Sequence, residues 1–165
     1  MKKIGLALIA LIAAPAVALG AGSHSGGHGH DDDGHMKMAV GQPGKASEAN
    51  KTVEVIMKET NDGAMIFEPS ELSVEAGETI RFVVKNAGEL EHEFVLDDHH
   101  GVMEHKALME KFPEMEHDDP NSVRLDPGSE GEVVWKFTNA GEFEFACLIP
   151  GHYDSGMKGM LKVAH

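Results

Sequence analysis

The chain has 165 residues, a formal charge of −14 and a single cysteine. So acidic a polypeptide is a poor partner for nucleic acid and anionic lipid, and a good one for cations and basic proteins. One cysteine excludes an internal disulfide, and no glycine-rich loop between strand and helix suggests nucleotide binding.

The first segment, MKK followed by IGLALIALIAAPAVAL, has a basic start, an apolar stretch too short and alanine-rich for a membrane span, and small residues at its end. It reads as a secretory signal over residues 1–21, cleaved between Ala18 and Gly22. Pro15 interrupts the run and no basic stop-transfer cluster follows, which disfavours a retained anchor helix. The mature chain is therefore expected in a bacterial periplasm, with no membrane association after cleavage. Losing Lys2 and Lys3, and no acid, takes the charge from −14 to −16. From Ser23 to Asn50 the larger apolar side chains are Met36, Met38 and Val40, set among Gly, His and Asp. So little burial does not offset the entropy of ordering, and residues 22–50 read as a flexible tail.

Residues 51–165 have the size of one domain. Val53, Val55 and Met57 alternate with Thr52, Glu54, Ile56 and Lys58, and Asn61-Asp62-Gly63 makes a turn. The same period of two recurs in Ile80, Phe82 and Val84, in Val133, Trp135 and Phe137, and in Phe143, Phe145 and Cys147. Gly77, Asn86-Ala87-Gly88, Pro127-Gly128 and Asn139-Ala140-Gly141 punctuate these runs. The pattern predicts an all-β, antiparallel two-sheet sandwich. One stretch departs from it. Between Asp97 and Pro120, residues Val102, His105, Met109 and Phe112 share the face of a short helix that Pro113 stops, giving a helical insertion over 97–120. Val102, Met109 and Phe112 are its expected docking stripe.

The run CLIPGHYDSGM places Cys147, His152 and Met157 with four residues in each gap. In an oxidising compartment a lone cysteine is protected, paired between chains or bound to a metal, and metal ligation explains this one best. A thiolate, an imidazole and a thioether on one strand-to-strand loop, completed by a second histidine, form the ligand set of a mononuclear copper electron-transfer site. His92, in NAGELEHEF, is the candidate for that histidine. Pro150 and Gly151 allow the sharp turn that aims several side chains at one centre.

LSVEAGETIRFVVKN, NAGELEHEF and the C-x4-H-x4-M loop, in this order between Val53 and Val163, resemble the cupredoxins, the blue-copper family that includes plastocyanin, azurin and rusticyanin. The resemblance implies a cupredoxin-like Greek-key β-sandwich with one type 1-like copper. It makes His92, Cys147 and His152 the equatorial ligands and Met157 the axial one, with Met160 open as the alternative. The ligand loop is longer than in plastocyanin-like proteins. Glu91 and Glu93 flank His92 where many relatives place asparagine after the histidine, so the hydrogen bonds that orient the ligands are expected to differ.

Further metal-seeking residues surround this set. The tail carries His24, His28, His30 and His35 with Asp31, Asp32, Asp33, Met36 and Met38, which either hold extra copper loosely or form a solvated linker. Cleavage before Gly22 would also make His24 the third residue, a square-planar nitrogen site for Cu(II). The insertion carries His99, His100, Met103, His105, Met109, Met115 and His117. This layer is similar to that of periplasmic cupredoxins of copper tolerance, and implies copper binding with Cu(I)/Cu(II) handling. The alternative is a soluble electron carrier, exchanging electrons through the edge of His152 with a basic partner such as a c-type cytochrome. Multicopper and nitrite-reducing enzymes use several such domains and this chain has length for one, so a monomer without enzymatic activity or catalytic residues is expected.

Overall fold

The computed structural model describes residues 38–115 and 119–165. The predicted signal segment, the tail as far as residue 37 and His117 lie outside them. The strands are β1 (Gln42–Pro43), β2 (Lys51–Glu59), β3 (Met65–Glu68), β4 (Glu71–Glu75), β5 (Thr79–Asn86), β6 (His92–Asp97), β7 (Ser122–Leu125), β8 (Glu130–Lys136), β9 (Gly141–Ala146) and β10 (Lys158–Ala164), with one helix, α1 (His99–Lys111), between β6 and β7. They form two five-stranded sheets, in the orders β1-β8-β5-β2-β3 and β4-β10-β9-β6-β7. The sandwich is as expected, but not wholly antiparallel. β2 runs parallel to β5, and β10 parallel to β4, because the chain changes sheet between the partners instead of returning by a hairpin.

Alternation decides which side chains fill the space between the sheets. Val55, Met57, Ile80, Phe82, Val84, Val133 and Trp135 face inward from the first sheet, while Phe94, Leu96, Phe143, Phe145, Leu161 and Val163 face them from the second. Phe94 sits at the centre of an aromatic cluster, 5.7 Å from Phe145, 5.6 Å from Phe82 and 6.1 Å from Phe67 between ring centroids. Such pairs add packing energy beyond the area they bury.

β6 is buried on both faces, because α1 lies over the outer side of the second sheet. Val102 and Met109 of the helix pack with Val95, Ala146, Leu148 and Tyr153. Asp98 caps its first turn, accepting a 2.9 Å hydrogen bond from the Gly101 N–H. Phe112 does not complete the docking stripe. The residue before Pro113 is barred from helical backbone, so α1 ends at Lys111 and the Phe112 ring is 57% exposed.

The segment 38–50 also departs from the expected tail. β1 pairs with β8, Val40 is fully buried, and the Val40 carbonyl accepts from the Trp135 indole N–H at 3.3 Å. The ordered domain thus reaches back to Met38, and a flexible segment 22–50 does not describe it. These few residues bury little of their own, and it is the ready-made edge of β8 and the Trp135 ring that hold them.

Asn86 ties the end of β5 to the loop that leads into β6. Its buried amide donates to the Leu90 carbonyl at 2.7 Å and the Leu125 carbonyl at 2.9 Å, and accepts from the Gly88 N–H at 2.9 Å. Replacing it with alanine strands the buried Leu125 carbonyl and, at the part-buried end, the Leu90 carbonyl and the Gly88 N–H. Asn86→Ala is expected to cost about 2 kcal/mol, read as a lower urea midpoint at unchanged slope.

Candidate metal centre

Two neighbouring strands of the second sheet bring in His92 and Cys147 from opposite directions. His92 opens β6, and Cys147 follows Ala146, the last residue of β9 and one short of the predicted strand end. These strands pair antiparallel with Val95 opposite Ala146, so the start of one meets the end of the other. The Glu93 N–H donates to the Cys147 Sγ at 3.3 Å and helps orient the sulfur.

The following loop then folds back on itself. Gly151 takes φ +88°, a left-handed backbone that L side chains rarely adopt, and the His152 N–H donates to the Ile149 carbonyl at 3.0 Å. The Met157 N–H donates to the His152 carbonyl at 3.1 Å, and the Cys147 N–H to the Met157 carbonyl at 3.1 Å. Ten intervening bonds of sequence are in this way closed into a ring that sets residues 147, 152 and 157 side by side.

The Nδ1 atoms of His92 and His152 are 3.2 Å apart, and the Cys147 Sγ is 3.3 Å from the His152 Nδ1. Among the described residues, these three form the one group of His, Cys, Asp or Glu side chains placed to hold a metal ion, with all ligand atoms within 4.8 Å. His92, Cys147 and Met157 are fully buried, and Met157 packs in the same core cluster as Cys147. Met160 is 52% exposed, turned outward on β10 by the alternation that buries Leu161. Burial separates the two methionines that the sequence left open.

Burial pushes the Cys147 thiol up to about 12, although the Glu93 N–H works the other way. A thiol so placed keeps its proton at neutral pH unless a cation takes the proton's place, and metal binding does that. Burial, then the neighbouring His92, holds His152 below the usual imidazole value, leaving both of its nitrogens to act as a neutral ring. A soft thiol and two converging imidazoles suit copper better than hard cations, which prefer oxygen ligands.

The residues flanking His92 have different roles. Glu91 forms a 2.6 Å ion pair with Arg124, which lowers its pKa. Glu93 is buried and pushed up to about 7 by desolvation, against the pull of Arg124, and its Oε2 has no hydrogen-bond partner among the described residues. The group nearest the far side of His92 was not legible in the sequence. Glu59, at the end of β2, accepts from the His92 Nε2 at 2.8 Å and from the N–H groups of Glu89 at 2.8 Å and Leu90 at 3.0 Å. Burial alone would raise its pKa, but these hydrogen bonds hold it at about 2. No local pattern signals such a residue, because the approach of Glu59 to His92 exists only once β2 has paired with β5.

Two histidines of the insertion, His99 and His100, lie against carboxylates. His99 Nδ1 lies 2.8 Å from Glu144, and His100 Nε2 lies 3.5 Å from Glu104. The tail histidines, His24, His28, His30 and His35, lie outside the described residues.

Residues 53–164 match the sequence profile described as copper binding proteins, plastocyanin/azurin family. The chain is 47% identical over 141 residues to the copper-resistant cuproprotein CopI of Rubrivivax gelatinosus, covering 86% of this chain and 81% of that protein. It is 39% identical to the copper-resistant cuproprotein CopI of Pseudomonas aeruginosa, over 76% of this chain and 83% of the relative. Among solved structures, the reduced auracyanin of Roseiflexus castenholzii superposes with a TM-score of 0.61 at 23% identity, over 71% of this chain and 99% of that one, a likeness of fold.

Proposed function

The chain belongs to the plastocyanin/azurin family of copper-binding proteins, and on that premise we propose that it is a copper-tolerance cupredoxin whose ion is held by His92, Cys147, His152 and Met157. The observation that carries the reading is the convergence of two imidazoles on a buried lone thiol, with Met157 closed against Cys147 by a backbone hydrogen bond. Copper bound there supplies a one-electron Cu(I)/Cu(II) couple. The chain's own residues keep water from the sulfur and leave one half-buried imidazole edge, that of His152, as the way in for electrons.

Two relatives named for copper resistance, matched over more than three quarters of both lengths, support a role in tolerance over a purely respiratory one. Residues 1–21 have the composition of an export signal, which supports a periplasmic location. No described helix is long and apolar enough to cross a membrane. The role in this reading is binding and redox handling, supported by one mononuclear ligand group among the described residues.

The test is growth. A strain lacking the gene is expected to lose growth at copper concentrations its parent tolerates and to recover it with the wild-type gene. Normal growth of the deletion strain in copper would defeat the tolerance reading. The half-buried His152 edge and a formal charge of −14 favour a second reading, electron delivery to a basic partner such as a c-type cytochrome. In that case the same deletion would instead slow respiratory electron flow.

The axial assignment has its own check. Met157→Leu is expected to retain copper while shifting the reduction potential and the visible spectrum, and Met160→Leu to leave both unchanged. Spectra and voltammetry of the two copper-loaded variants decide it, and a reversed result would move the axial ligand to Met160.

A further inference from the structure

We infer that Glu59 is the positioning residue of the centre: its carboxylate holds His92 in the one tautomer that turns a bare Nδ1 toward Cys147 and His152, and lends that imidazole negative charge. The inference rests on the copper reading of the same site and goes beyond it by naming a residue that no ligand motif contains.

Three observations carry it. First, the His92 ring is used at both ends. Its Nε2 lies 2.8 Å from the Glu59 Oε1, and its Nδ1 lies 3.2 Å from the His152 Nδ1. Glu59 already accepts from two backbone N–H groups and an ionised carboxylate only accepts, so Nε2 carries the proton, and in the neutral ring Nδ1 then presents its lone pair. Second, the carboxylate is itself fixed. Oε2 takes the Glu89 N–H and Oε1 takes the Leu90 N–H, so the same group that orients the ring also pins the loop entering β6 two residues before His92. A Cβ added at Gly88 would strike the Glu59 carboxylate, which explains why this loop comes so close. Third, His92 is wholly buried whereas Glu59 lines an open cleft of about 490 Å³ with Thr60, Gly88 and Glu89. Glu59 is thus the polar link between a dry imidazole and the surface.

The consequence is electrostatic as well as geometric. A carboxylate accepting from a ligand imidazole makes that ligand more basic. A more basic, partly anionic imidazole favours the higher charge of Cu(II) over Cu(I), so Glu59 would lower the reduction potential of the site.

Glu59→Gln tests this in the full mature chain. The amide oxygen can still accept from His92, but the charge is gone and the amide nitrogen opposes the Glu89 N–H. Cu(II) affinity, measured by competition with a chelator, is expected to fall at least tenfold with Cu(I) affinity unchanged, equivalent to a potential rise of about 59 mV per tenfold. Glu91→Gln is the control, since it removes the same unit charge at the same end of the molecule from a group paired to Arg124 and not to His92. Equal shifts in the two variants would reduce Glu59 to a general charge effect and overturn the proposal. A metal-independent readout comes from nitrogen NMR of the copper-free protein. His92 is expected as the Nε2–H tautomer in the wild type and as a mixture in Glu59→Ala; a pure Nδ1–H form in the wild type would overturn the inference by itself. A wild-type chain that bound no copper would instead defeat the underlying reading, and an unchanged affinity ratio in a copper-loaded Glu59→Gln would defeat only the role of Glu59.

Discussion

Replacing Cys147 by serine is expected to abolish the intense visible absorption of the copper-loaded protein. The band arises from charge transfer out of a thiolate, and Cys147 holds the one sulfur that can become a thiolate in this chain. No second thiolate stands nearby, since the side chains grouped with the sulfur are the imidazoles of His92 and His152, with the buried thioether of Met157 in the same core cluster. The effect on stability runs separately. A buried hydroxyl in place of a buried thiol costs about 1–3 kcal/mol if unpaired, but the Glu93 N–H that meets the sulfur can donate to an oxygen, which brings the cost to the lower end. Absorption and a urea titration of the same sample therefore give two different answers: a colourless protein that remains folded. Persistence of the band in the serine variant would remove Cys147 from the centre.

A chain beginning at residue 51 is expected to melt well below one beginning at residue 38. The shorter chain loses β1 and the fully buried Val40, and leaves the Trp135 indole without the carbonyl it donates to. Burying a valine is worth about 1.5–3 kcal/mol and a net hydrogen bond about 1, so the difference is on the order of 3 kcal/mol. For a domain of this size that lowers Tm by roughly 10 °C. The visible band should survive, because β1 lies on the sheet opposite to β6 and β9. Matching melting curves for the two chains would mean that 38–50 adds nothing to the fold.

Much of the fold was legible because its strands have one wet and one dry face. Ile80, Phe82 and Val84 announce β5 by spacing alone, and the structure buries all three. The parallel pairings were not legible. Period-two alternation tells which face a side chain takes but says nothing about the direction of the neighbouring strand. The insertion was read correctly as a helix from Val102 and Met109, and wrongly extended through Phe112, whose spacing fits the stripe although its place before proline does not.

The donor types were a matter of sequence: one cysteine, with a histidine and a methionine spaced along the same loop, is chemistry written in order along the chain. Their meeting with His92 depends on β6 running antiparallel to β9, and the burial of Met157 against the exposure of Met160 on which way β10 turns its side chains. Glu59 lies 33 positions from the ring it contacts and belongs to a strand of the opposite sheet. Local sequence can specify what a side chain is able to bind and which face it occupies, because those depend on composition and period. What stands behind a ligand, and how much charge it lends, is decided when two sheets close on each other, because hydrogen bonds of that kind have a range of about 3 Å and no period along the chain.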